Sequence, residues 1–537
     1  MSQPAVIETP RVSAAPRAAV ASIERGDPHK YLIAFAVVLA ALMQVIDSSI
    51  VNVALPDMMG NLGASLDEIA WVSTGYILAS VIIIPLTGWL GAFFGRKRYF
   101  VASIVIFTFA SVFCGASHSL GSLIFWRVMQ GLGGGALMTV SQAVLFEAFP
   151  REEAGTAMAL FGLGVMVGPT IGPTLGGWIT DNYGWPWIFY INVPVGIVAA
   201  MMIAAYVHDS KHQTKPPTID YQGIALLAIS VGALQYVLEH GQREDWFDSR
   251  LIVGLTLMGV VTGIGLLWRE LKTDHPVIDF RVMKHRQMWV GTLLGVVMGV
   301  GLYAMSFTLP VFLQSNLRMT AEQAGIALLP GAIATAISMA VVGRLSNKFD
   351  PRFLITLGAL VFAYAAWKLS LITDESGRGD FFWPLIYRGV GLGLMFVPLT
   401  TITLAELSPK ELPQGTGLYN FFRQLGGSFG IAAIATLLTR YTVQLRSVLG
   451  DHLSTTDPSV LQRVNSLAAG MMARGADPWT AKQRALALMD RQLFGQASVI
   501  AYGKIYVISA LLVLALIPLL LLVRQTKGAG GGHSIME

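Results

Sequence analysis

The sequence predicts an all-α polytopic membrane protein, with fourteen transmembrane helices in two pseudo-symmetric six-helix halves plus two inserted helices. Three observations carry that prediction. Apolar residues make up 54% of the 537-residue chain and charged residues only 13%, a balance foreign to water-soluble domains. Stretches of about 20 mostly apolar residues, the helix length that crosses roughly 30 Å of hydrocarbon, recur along nearly the whole chain. The chain also repeats itself: GWLGAFFGRKRYF (88–100) returns as GRLSNKFDPRFLI (343–355), and RVMQGLGGGALMTV (127–140) has a weaker echo in YRGVGLGLMFVPLT (387–400). Such internal repetition points to transporter architecture.

In chain order, residues 1–30 form a polar, Ala/Pro/Arg-rich tail without the apolar core and cleavage site of a secretory signal. The N-terminal half, 31–207, holds spans at 31–54, 69–91, 98–117, 121–147, 154–180 and 185–207. The inserted pair lies within 208–286, at 220–239 and 251–268, flanked by cytoplasmic loops. The C-terminal half, 287–523, holds spans at 287–314, 322–346, 353–373, 381–405, 414–439 and 497–523, and residues 524–537 form a second tail. Basic residues at Arg96–Arg98, Arg151, Lys211, Lys215, Arg269–Arg286, Arg344, Lys348, Arg352 and Lys410 fall on one side, which the positive-inside rule makes cytoplasmic. Arg243, Arg250, Arg318 and Arg378 are the exceptions. An even span count places both termini in the cytoplasm, consistent with Arg11, Arg17 and Arg25 at one end and Arg524 and Lys527 at the other. The long extracytoplasmic segment 441–496 reads as two short amphipathic helices, from Val460, Val464, Leu467 and Met471 and then Ala485, Met489 and Leu493.

Within this apolar background a few polar residues stand out. Asp47 lies in the middle of LMQVIDSSIVNVALP (42–56), and an ionisable side chain at bilayer depth marks an ion or substrate path by default. A carboxyl whose surroundings gain and lose water during alternating access can bind and release a proton. Gln44, Ser48 and Asn52 follow at about one-turn spacings and are candidates for the same cavity, with plain interhelical hydrogen bonding as the competing reading. Arg127 cannot deprotonate, so it must be paired, wetted or snorkelling to the interface; Gln130 lies one step away. Gly164, Gly168, Gly172 and Gly176 recur every four residues, with Gly177 adjoining, and form one face that admits a close neighbour. Pro169 and Pro173 remove backbone donors from the same helix. Asn420 and Arg423, in YNFFRQLGG (419–427), are further cavity candidates.

Several chemistries are excluded. GGSFG (426–430) and GLGGGA (131–136) match loose nucleophile-elbow and dinucleotide patterns, but neither has the preceding strand its motif needs. The single cysteine, Cys114, allows no internal disulfide or cysteine cluster, and the basic residues form no nucleic-acid patch. The reading is not of an enzyme and calls for no cofactor or metal; membrane lipid is the one general partner.

Four motifs in order then resemble the major facilitator superfamily, and within it the fourteen-span drug:proton antiporters. GWLGAFFGRKR resembles the loop motif, with Gly88, Gly95, Arg96 and Lys97 as its gate residues; RVMQGLGGG resembles the span-four arginine motif. GLGVMVGPTIGPTLGG (162–177) is similar to the antiporter glycine/proline motif, and IDSSIVNVALP to the span-one signature. IIIPLTGWL (82–90), WIFYINVPVG (187–196) and VPLTTITL (397–404) extend the likeness almost end to end. The resemblance implies a proton-coupled exporter of hydrophobic toxic compounds in a bacterial inner membrane, with Asp47 and Arg127 coupling the proton. It also implies a periplasmic adaptor and, through it, an outer-membrane channel, making 441–496 either a docking element or a lid. Export of a specific metabolite, fatty acid or siderophore is the alternative; a membrane sensor or embedded enzyme is more remote. One departure is Ala92, where the loop motif usually carries an aspartate.

Overall fold

The computed structural model describes residues 27–209, 218–346, 348–451, 453 and 457–523, and every regular element among them is helical. Most of both predicted tails, with Lys211 and Lys215, lies outside the described residues. The helices are α1 (Lys30–Leu62), α2 (Leu66–Phe94), α3 (Arg96–Gly115), α4 (Leu120–Ala148), α5 (Ala154–Tyr183), α6 (Trp187–Tyr190), α7 (Asn192–Tyr206), α8 (Tyr221–His240) and α9 (Arg250–Lys272). They continue as α10 (Arg286–Ser315), α11 (Ala321–Leu345), α12 (Pro351–Leu369), α13 (Arg378–Ala405), α14 (Leu412–Asp451), α15 (Pro458–Met472) and α16 (Pro478–Leu514). Among the described residues, twelve helices are long and apolar enough to cross a membrane, with α6 and α7 counting as one. α4 and α5 match them in length, at 29 and 30 residues, but are not among the twelve.

Local chemistry sets the ends. Ser65 accepts from the Glu68 N–H while Glu68 reaches back to the Ser65 N–H, a capping box that starts α2; Thr320 and Gln323 start α11 in the same way. Gly95, at φ +87°, takes the corner between α2 and α3 in a backbone region that side chains disfavour.

Close approach at glycines organises the packing around α4 and around α13. A Cβ on Gly131 or Gly135 of α4 would come 2.5 Å from a carbonyl of α2, and one on Gly133 would come 2.7 Å from a carbonyl of α3. In α13, Gly389 and Gly393 press on α11, while a Cβ on Gly391 would come 2.8 Å from the Gly358 carbonyl of α12. Both stretches of the sequence echo thus lie on helices that pack closely through glycines.

Among the described residues, two seams join helices of 31–207 to helices of 287–523. Along one, α5 runs beside α11: a Cβ on Gly155 would come 2.5 Å from the Gly343 carbonyl near one end, and Gly325 backs onto Thr174 near the other. Along the second, α2 meets α14 where Gly88 faces Gln414 and a Cβ on Gly417 would come 3.3 Å from the Ile84 carbonyl. The inserted helix α8 touches both sides of this second seam. Thr74 of α2 donates to Glu239 at 2.7 Å, and Gln235 donates to Ser428 of α14 at 3.0 Å.

The segment 441–496 differs from its prediction. Only α15 is a separate short helix; the second predicted helix is the beginning of α16, and α14 likewise runs on to Asp451. α15 rests on α16 through Val464 and Ala468 against Ala481 and Ala485, and Arg446 of α14 binds Asp490 of α16 at 2.6 Å.

Candidate functional site

Asp47 is fully buried, on the face of α1 that turns into the N-terminal half. Three donors converge on its carboxylate. Arg127 Nη1 donates to Oδ2 at 2.7 Å, while Gln130 Nε2 and Asn192 Nδ2 donate to Oδ1 at 2.9 and 2.8 Å. Arg127 is 1% exposed, so it does not snorkel. Its Nε donates to the Val72 carbonyl at 3.0 Å, Nη1 also donates to Gln130 Oε1 at 2.7 Å, and the guanidinium lies 4.2 Å from the Tyr76 ring centre. Ser111 Oγ accepts from Gln130 and Asn192 at 3.2 and 3.1 Å and donates to the Phe189 carbonyl at 2.8 Å. Such a buried pair persists because nearly every polar atom around it is satisfied; stripping one partner leaves an uncompensated charge.

Gln44, Ser48 and Asn52 do not join this cluster. Four-residue spacing lines them up along one stripe of α1, and Asp47 points off it. Gln44 accepts from the Met138 N–H of α4 at 3.0 Å. Ser48 and Asn52 are exposed: Ser48 donates to the Val45 carbonyl at 2.9 Å, and Asn52 accepts from Ser73 at 3.0 Å. One side of α1 therefore carries the ion pair and another carries the cavity candidates.

Asn420 and Arg423 lie where the halves meet. Asn420 Nδ2 donates to Gln142 Oε1 of α4 at 2.6 Å, and Arg423 Nη2 donates to Asn420 Oδ1 at 2.9 Å. The glycine face of α5 packs within its own half, not at a seam between halves. A Cβ on Gly164 would meet Val38 at 2.6 Å, one on Gly168 would meet Val45 at 2.5 Å, and one on Gly176 would meet Ile50 at 2.6 Å. Gly172 backs onto Ser49, and Gly177 leaves 3.9 Å to Val53. α5 continues as helix through Pro169 and Pro173.

At the loop motif, Arg96 forms an ion pair with Glu147 at the end of α4, and the Lys97 N–H donates to Asp209 Oδ1 at 2.8 Å. Asp209 thus supplies a carboxylate at the start of α3, close to where Ala92 leaves the motif without one. At the same end of the bundle, Glu411 accepts from Ser408 Oγ at 2.7 Å and lies 3.2 Å from His285 Nε2. The Ser408 hydroxyl, aided by His285 and opposed by partial burial, holds the Glu411 carboxyl down at about 2.

The sequence reading missed Asn192, Ser111, Glu147 and Asp209. Asn192 carries a legible signal, an amide inside the otherwise apolar 187–206 stretch. Ser111 does not, since Ser103 and Ser117 lie in or beside the same helix and bind only backbone carbonyls of the preceding turn or a neighbouring serine.

Long apolar helices packed around a buried ion pair make this a multi-pass membrane protein. The chain belongs to the Major Facilitator Superfamily, whose sequence pattern matches residues 37–431. It is 36% identical over 503 residues to the multidrug export protein EmrB of Escherichia coli K12, covering 93% of this chain and 96% of that one. It is 32% identical over 496 residues to the fatty acid resistance protein FarB of Neisseria gonorrhoeae, covering 92% and 96%. Its fold is similar to the solved human organic anion transporter MFSD10 (TETRAN), with a TM-score of 0.57 at 13% identity over 91% of this chain and 100% of that one.

Proposed function

We propose that the protein is a proton-coupled exporter of hydrophobic toxic compounds across a bacterial inner membrane, working by alternating access. The drug-export part rests on its similarity to EmrB along almost the whole chain. The coupling part rests on one observation, the Asp47–Arg127 pair sealed inside the N-terminal half. With three donors aimed at it, the site suits a carboxylate and not a carboxylic acid. Protonation puts a donor where only donors point, which loosens Arg127, Gln130 and Asn192 together. Those residues belong to α4 and α7, so a proton on Asp47 alters the packing of α1 against both.

The halves touch at the basic end, through Gln142–Asn420, Gly88–Gln414 and Gly155–Gly343, and again at the far end of the α5–α11 seam, through Gly325 and Thr174. In this mechanism deprotonated Asp47 belongs to the inward-facing, drug-accepting state, and a proton entering from outside accompanies drug release. Proton entry frees α1, whose other stripe carries Gln44, Ser48 and Asn52, and the return to the inward-facing state releases the proton and admits the next substrate.

The same reading counts α4 and α5 as spans, giving fourteen, with both termini cytoplasmic and the halves at 31–207 and 287–523 around the inserted pair. The repeated glycine packing of α4 and α13 supports the pseudo-symmetry. α15 leans on α16 and exposes apolar side chains nearby, among them Trp479 and Phe494, which favours adaptor docking in the periplasm, and through it an outer-membrane channel, over a lid. Fatty acid export by the same mechanism is the second reading, favoured by the similarity to FarB.

The test is efflux from proteoliposomes: an imposed pH gradient should drive a hydrophobic dye uphill, and collapsing the gradient should stop it.

A further inference from the structure

Of the three arginines whose side chains are most buried among the described residues, two are matched with acids. Arg127 has Asp47 and Arg96 has Glu147. Arg423 is 5% exposed and pairs with no carboxylate among the described residues. What it has is neutral: Asn420 Oδ1 at 2.9 Å, Met138 Sδ at 3.7 Å, and the rings of Phe396 and Tyr419 at 5.4 and 6.0 Å. Its Nε is buried with no acceptor. A guanidinium never sheds its charge, and a lone buried charge is costly, so an arriving anion would relieve this side chain.

Its position says where the anion comes from. Arg423 lies on α14, about a third of the way along, and its neighbour Met138 belongs to α4 of the other half. Met138 in turn holds Gln44 of α1 through its N–H. The Gln142–Asn420 contact one turn away closes the site in this conformation, and parting the halves opens it. Around the guanidinium are aromatic faces and a thioether, surfaces that accept a flat apolar body.

We propose that Arg423 is a specificity-determining residue that receives the carboxylate of amphipathic aromatic acids, so that the exporter takes organic anions by a direct ion pair. This rests on the export reading above and names its substrate class.

Pyrenebutyrate, pyrenebutanol and pyrenemethylammonium share a fluorescent body and differ in head-group charge. In proteoliposomes with an imposed pH gradient, Arg423→Gln should slow pyrenebutyrate efflux at least about tenfold and leave the alcohol and the ammonium within about twofold of wild type. Arg423→Lys should restore part of the anion rate. Equal loss for all three probes, or an unchanged pyrenebutyrate rate, overturns the proposal and leaves the export reading intact. If wild type moves no probe, the export reading fails on its own. Fluorescence titration in detergent still decides: binding of pyrenebutyrate that weakens in Arg423→Gln supports the anion site, and equal affinity refutes it.

Discussion

Replacing Asp47 by asparagine keeps the side-chain shape and removes both the charge and the titration. The best placement leaves the amide oxygen at the Oδ1 position, where Gln130 and Asn192 still donate, and turns the amide nitrogen toward Arg127 Nη1, which now sits 2.7 Å from another donor. Arg127 keeps only Val72 and Gln130 as acceptors. Breaking a buried pair on one side costs about 3–5 kcal/mol. We therefore expect Asp47→Asn to lower unfolding stability by about that amount, and Asp47→Asn with Arg127→Gln to regain most of it, because a pair in contact is strongly non-additive. Arg127→Lys should fall between them, losing about 1–3 kcal/mol, since one ammonium cannot serve Val72, Asp47 and Gln130 in the plane the guanidinium provides. Thermal unfolding of the detergent-purified set reads stability, and pH-driven efflux from proteoliposomes reads coupling. Export should vanish in Asp47→Asn and stay absent in the double variant even where stability returns. An Asp47→Asn protein as stable as wild type, or one that pumps uphill at the wild-type rate, refutes the reasoning.

Three further outcomes follow from other parts of the molecule. Gly176→Ala puts a methyl 2.6 Å from Ile50 Cγ1 and 3.0 Å from the Ile50 carbonyl, so it should destabilise by about 1–3 kcal/mol, while Gly177→Ala, with 3.9 Å to Val53, should be neutral in the same thermal assay. Replacing α15 with a short flexible linker should spare proteoliposome transport and abolish adaptor co-purification and whole-cell resistance; the opposite pattern would make the hairpin a lid. Glu411 sits at about 2 against an ordinary 4.5, a depressed carboxylate whose stabilising contribution is complete above about 4.5 and fades as pH falls toward 2. Glu411→Gln should flatten the fall in melting temperature between about pH 5 and 3, and an unchanged slope counts against the Ser408–His285 contacts as its cause.

Much of the helical scaffold is legible in the sequence because apolar windows, Gly95 and the Ser65–Glu68 and Thr320–Gln323 patterns act locally. The two ends of the 441–496 segment were not, since an amphipathic stretch such as 485–493 reads alike as a free helix or as the outer part of a continuous one. At the site, Asp47, Arg127 and Gln130 were each visible as polar residues in apolar windows, and the structure joins them. Their separation from Ser48 and Asn52 was not visible, because a one-turn spacing leaves open which neighbour each side of α1 meets. The role of Asp209 was hidden for a different reason: it lies more than a hundred residues from Lys97, and only tertiary packing brings its carboxylate to that N–H.

In the proposed mechanism, export is driven by protons that pass through Asp47. Its most direct measurement is proton and substrate flux recorded together in the same proteoliposomes, with an internal pH dye and a fluorescent hydrophobic substrate. Wild type should move protons inward only while substrate moves out, with both fluxes rising and falling together as either gradient is varied, and Asp47→Asn should show neither. Substrate efflux that continues at full rate with no pH gradient, or without any accompanying proton movement, would contradict the account.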